Sequence, residues 1–134
     1  MKKILLFTFV FLFFPDNNMI AQHFIGLNKE ETRVLARKTG FYIDDIIMNK
    51  KFNYLKFINS SNTKTLLVFF SDKDISTHTR MICDYSEYDA IISNCNEHYK
   101  KKRKNLWVYN VGKEIFKVTL EEEAWYFVLR VKKK

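Results

Sequence analysis

The sequence predicts an α+β domain in which two helices pack on an antiparallel sheet of about six strands. Three observations carry that expectation. Between residues 52 and 131, six short runs place apolar residues at every second position, the period of a strand with one buried face. Two other stretches, 28–40 and 86–99, carry apolar residues at helical spacing behind capping residues. Short polar clusters such as "SSNT" and "SDKDIST" separate neighbouring strands, which favours hairpins. The predicted order is helix, three strands, helix, three strands, and two helices laid on one sheet is the natural way to bury these faces.

The chain opens on a segment that does not belong to this domain. Met1-Lys2-Lys3 is a positive start, Ile4 to Phe14 is apolar apart from Thr8, and Pro15-Asp16 ends the run. Eleven helical residues rise about 16 Å, short of the roughly 30 Å hydrocarbon core of a bilayer, so the pattern reads as a secretory signal peptide over 1–21. Cleavage after Ala21 leaves one domain over 22–134, although Met19 stands where a small residue is usual. Losing two lysines and one aspartate takes the net charge from +8 to +7. No second apolar stretch could span a membrane, so the expected location is extracytoplasmic, periplasmic or secreted. One proline and three glycines in the whole chain argue against linkers or disorder.

In the first helix Asn28 is the cap, Glu31 its capping-box partner and Gly40 the stop, with Val34, Leu35 and Lys38 as a narrow stripe. "FYIDDIIMNK" (41–50) is ambiguous, because Tyr42, Ile43, Ile46 and Ile47 are spaced as on a helix while branched residues favour a strand. "FNYLKFI" (52–58), "TLLVFF" (65–70) and "TRMICDY" (79–85) are the next three strands. Ser86 then caps a helix with Asp89 as partner, and Tyr88, Ile91, Ile92, Cys95 and Tyr99 form its apolar face. The run Lys100 to Lys104 reads as the solvated, dipole-favoured end of that helix. "LWVYNV" (106–111), "EIFKVTL" (114–120) and "WYFVLRV" (125–131) complete the sheet. The two halves share a rhythm that suggests an internal duplication.

Little catalytic chemistry is legible. The stretch "CDYSEYDAIISNCNEH" (83–98) holds both cysteines. Cys95 lies in the apolar stripe and Cys83 at an inward strand position, so both read as structural. Export allows a disulfide between them, and a bridge and two buried thiols stay open as alternatives. Cys83, Cys95 and His98 match no metal-ligand spacing, and no third group is placed to orient a Cys–His pair. His23 and His78 fall beside the cleavage point and in a loop. No phosphate loop, dinucleotide fingerprint, nucleophile elbow or H-E-x-x-H occurs, so no cofactor or metal is expected. Asp44-Asp45, Asp72-x-Asp74 and Glu121-Glu122-Glu123 are acidic clusters in turns or near helix ends, and Asn59-Ser60-Ser61 is a glycosylation sequon by pattern.

On the last hairpin Phe116, Val118 and Leu120 run in phase with Phe127, Leu129 and Val131, a core face. The opposite face carries Lys117, Tyr126 and Arg130, and with Trp107 and Tyr109 these are the candidate binding residues. Gly26, Asn28, Glu30 and Glu31, followed by the helix-plus-strands order, resemble small exported bacterial α+β proteins and, at fold level, the β-lactamase-inhibitor-protein-like group. The assembly lipoprotein in that group needs a lipid-acceptor cysteine that this chain lacks. The resemblance implies a protein-binding sheet face without catalysis. The expected function is therefore a non-enzymatic binding or accessory protein whose partner, in the cell envelope or outside the cell, is a protein rather than a small molecule or nucleic acid. Two alternatives stand beside it: a small extracytoplasmic hydrolase or thiol enzyme, and a binder of acidic glycans or lipid headgroups through the lysine run.

Overall fold

The structure, a computed structural model, describes residues 24–48 and 52–134, with backbone alone at 45–48. The leader assigned to 1–21 lies outside the described residues. Asn28 opens the first helix as its capping box predicts. Its side chain accepts the Glu31 N–H at 2.8 Å, and Glu31 accepts the Asn28 N–H at 2.9 Å, satisfying two donors at the start of α1 (Lys29–Lys38). The buried face of α1 differs from the predicted stripe. Thr32 and Ala36 are buried with Leu35 beside them, whereas Val34 is exposed. These small side chains let the helix lie close on the sheet, and the Thr32 hydroxyl donates to the Asn28 carbonyl at 2.8 Å rather than staying unpaired.

Among the described residues the sheet has eight strands, which corrects the expectation of about six and of a three-and-three order. Four strands follow α1: β1 (Phe41–Met48), β2 (Asn53–Asn59), β3 (Lys64–Phe70) and β4 (Ser76–Asp84). A 3₁₀ turn over Tyr85–Glu87 leads into α2 (Tyr88–His98), and β5 (Lys100–Arg103), β6 (Leu106–Val111), β7 (Glu114–Glu122) and β8 (Tyr126–Lys133) follow. All pairs are antiparallel, in the order β1-β2-β3-β4-β8-β7-β6-β5. Each half is thus a helix followed by a four-strand meander, and the meanders join at the centre through β4 and β8.

Both additional strands have a physical reason for escaping the periodicity. In β1 the register shifts between Ile43 and Asp45, so Ile43 lies opposite Phe57 and Ile46 opposite Leu55. The irregularity separates those two positions by three residues instead of two, and the run imitates helical spacing. β5 is KKKR, which has no apolar period, and all four residues are exposed. The lysine run is therefore an edge strand rather than a helix end, a short charged edge of the kind that resists pairing with other chains. The entrance to α2 also differs from the expected Ser86 cap: Asp84 caps the 3₁₀ turn, accepting the Ser86 N–H at 3.0 Å, and Glu87, at the head of α2 itself, makes no side-chain capping bond.

One face of the sheet carries the whole core cluster. Leu55, Phe57, Leu66, Val68, Met81 and Cys83 from the first half meet Trp107, Val118, Leu120, Phe127, Leu129 and Val131 from the second. Ala36 of α1 and Ile91 and Cys95 of α2 pack into that same cluster, so both helices cover one face. Tyr88 and Ile92 flank it, and Tyr99 closes it just past the end of α2.

Candidate functional site

The cysteines are free thiols, both buried in the core cluster. The bridge that the sequence left open is not present. Burial pushes each thiol up to about 12; for Cys83 the neighbouring Lys64 opposes this, while Glu87 and Cys95 add to it. Thiols held protonated are poor nucleophiles and poor ligands. The His98 Nδ1–H donates to the Asn94 carbonyl at 3.0 Å, a bond back along its own helix. His78 is not in a loop but on β4, its ring stacked on Phe69 with centroids 4.5 Å apart. His23 lies outside the described residues. Among the described residues no three His, Cys, Asp or Glu side chains converge as a metal site would require.

Each acidic cluster has at least one carboxylate engaged within the fold, and the sequon asparagine is engaged as well. Asp74 accepts from the Asn53 amide at 2.7 Å and lies 3.6 Å from Lys29, and chiefly the Asn53 bond holds its carboxyl below the ordinary range. Asp44 pairs with Lys56 at 3.1 Å and Glu121 with Arg130 at 2.7 Å, while Glu122 accepts the Tyr88 hydroxyl at 2.6 Å. Asn59 is engaged through both its side-chain oxygen and its amide nitrogen. Its Oδ1 accepts the Thr63 and Lys64 N–H groups, each at 2.9 Å, and its amide donates to the Thr63 hydroxyl at 2.9 Å. Thr63 in turn donates to Glu87, so this network ties the β2–β3 turn to the entrance of α2.

The sheet face opposite the helices is left uncovered by them among the described residues. The register settles which predicted residues belong to it. Lys117, Tyr126 and Arg130 do, because their neighbours Val118, Phe127 and Val131 point into the core. Trp107 and Tyr109 do not. Trp107 lies opposite Val118 and is 1% exposed, its indole N–H donating to Asn96 of α2 at 2.9 Å. Tyr109 lies opposite Phe116 and stacks between Tyr99 and Phe116, with centroids 4.8 and 5.2 Å away. Sequence reasoning missed the face's other occupants: Tyr54, Leu67 and Phe69 on the first half, and His78, Arg80 and Ile82 on β4. Their signal was present, since each alternates with a buried residue on its strand.

Cross-strand rows organise this face. One runs Lys56–Leu67–Arg80–Arg130–Thr119, and the next Tyr54–Phe69–His78–Lys132–Lys117. A third, Ile58–Thr65–Ile82–Val128, is apolar apart from its threonine and ends on Glu121 of β7. Val128 is 4% exposed yet stands apart from the core cluster, so side chains of the open face itself bury it. Trp125, at the tip of the β7–β8 hairpin, is 85% exposed. Two shallow depressions lie elsewhere, along α1 and between α1 and β1. The second, of about 230 Å³, is lined by Arg33, Arg37, Phe41, Tyr42, Ile43 and Phe57. Comparison with protein families, curated proteins and solved structures returned no match to this chain.

Proposed function

We propose that this chain is an exported, non-enzymatic binding or accessory protein whose working surface is the sheet face opposite its helices. One observation carries the reading: both helices cover the same face, leaving the other with half-buried Leu67, Phe69, Ile82 and Arg130 and the exposed Tyr126. Apolar and aromatic side chains interleaved with charged groups on a rigid sheet have the composition of a contact surface. The fold-level resemblance implies the same use of a sheet face, and the leader pattern supports export and an extracytoplasmic partner. The buried, protonated thiols and the structurally engaged carboxylates support a role without catalysis.

The test is capture from a cell-envelope extract followed by mass spectrometry. Tyr126→Ala and Arg130→Ala should leave the unfolding transition in place and remove the captured partner. Capture that survives both substitutions would discard this face, and export is checked separately by the N-terminal residue of the secreted protein.

A further inference from the structure

We propose that the open face binds an acidic protein surface, seated on the cationic rows that cross β4, β8 and β7. The inference rests on the binding reading above and adds the chemistry of what is bound. Like charges set directly opposite one another on a sheet repel, and such positions are ordinarily filled by opposite charges or apolar pairs. Here Arg80 stands opposite Arg130 across the β4–β8 pair. In the neighbouring row Lys132 stands opposite Lys117 across β8–β7, with the His78 ring on its other side. The packing of the core does not call for this, because all five residues lie on the face away from it.

Few carboxylates are supplied from within. Arg130 has Glu121, but among the described residues Arg80, Lys117 and Lys132 form no ion pair. The Arg80 guanidinium lies over the Phe69 ring, 5.7 Å from its centroid, and its Nε is buried with no hydrogen-bond partner among the described residues. His78 already feels the crowding: burial first, then Arg80 and Lys132, depress its pKa. A surface that concentrates unneutralised cations at its centre is complementary to carboxylates brought by a partner.

The surroundings favour a protein over a polyanion. An apolar row, Ile58–Thr65–Ile82–Val128, borders the cations, and Tyr54 and Phe69 flank them with rings 5.2 Å apart. The face also keeps carboxylates of its own, Asp44 on Lys56 and Glu121 on Arg130. Those two carboxylates already neutralise Lys56 and Arg130, and a phosphate or sulfate polymer makes little use of the apolar row or the aromatic rings. A folded partner with an acidic centre and an apolar margin uses both the cations and the apolar row.

A random peptide library displayed on phage, selected against the immobilised purified protein, tests this. It should enrich sequences dense in Asp and Glu that also carry an aromatic or aliphatic residue. Lys117→Gln with Lys132→Gln, and separately Arg80→Gln, should weaken a selected peptide at least about tenfold, and added salt should weaken it further in the wild type. The lysine positions are partly or fully exposed, so that pair keeps the test open if the Arg80 variant folds poorly. Basic or neutral selected sequences, or acidic ones indifferent to these substitutions, would overturn the acidic partner. Retention of heparin or phosphatidylglycerol vesicles with no acidic peptide selected would overturn the protein class. Hydrogen-exchange protection by the bound peptide on α1 and α2 would overturn the open-face reading itself, whereas protection of β4 and β8 by a non-acidic peptide would overturn only the charge.

Discussion

Truncating Trp107 to alanine separates two descriptions of this molecule. As part of a binding face, Trp107 would cost little stability when removed. In the structure it is 1% exposed and among the largest fully buried side chains, facing Val118 on the core side. Removing a buried indole sacrifices its transfer energy and leaves a cavity that neighbours refill only in part, about 3–5 kcal/mol. The lost hydrogen bond adds little, since the partner Asn96 is exposed and water replaces the indole N–H. Against a total stability of about 5–15 kcal/mol for a domain of this size, the loss is roughly a fifth or more. The midpoint of thermal unfolding should fall by about 12 °C or more, at roughly 4 °C or more per kcal/mol. Tyr126, 41% exposed, is the control, and alanine there should cost under about 1 kcal/mol. Urea unfolding followed by far-ultraviolet circular dichroism is the suitable assay, because the variant retains only Trp125, which is 85% exposed and reports on a hairpin tip. A Trp107→Ala loss below about 1 kcal/mol, with the denaturant slope unchanged, would refute the assignment of Trp107 to the core.

The thiols give a second expectation: reductant leaves the melting temperature unchanged, thiol reagents react with two groups only after unfolding, and Cys95→Ser costs about 1–3 kcal/mol by placing a hydroxyl in the core. Because the folded thiols hold their protons up to about 12 while unfolded cysteine titrates near about 8.5, their contribution is complete below the lower value and drains away as pH rises through the upper one. His78 behaves in the opposite sense. Its folded pKa is lowered, so its contribution is present above about 6.5 and lost as pH falls through the folded value; Lys132→Gln should move its ring titration, read by NMR, back toward the ordinary histidine range. Asn59→Ala strands the Thr63 and Lys64 N–H groups at the β2–β3 turn and should cost about 1–3 kcal/mol in chemical denaturation. A loss within about 0.5 kcal/mol would mean that solvent satisfies those donors.

What the sequence determined by itself is local. The capping box at Asn28 and Glu31, the apolar stripe of α2 and the two phases of the β7–β8 hairpin are written in neighbouring residues, because caps, helix faces and strand alternation each act over a few positions. Lys117, Tyr126 and Arg130 were therefore legible as a face opposite the core. What only the tertiary structure decided is pairing. "LWVYNV" carries apolar residues in both phases, so nothing local says which set faces inward until Trp107 and Tyr109 register with Val118 and Phe116. β1 hides behind a bulge that breaks its period, and β5 is a strand only because β6 lies beside it. The cationic centre of the open face follows from the same cause. Arg80 and Arg130 are fifty positions apart in the chain, and the hydrogen-bond register of β4 with β8 brings them into opposition, a non-local contact that no short-range pattern encodes.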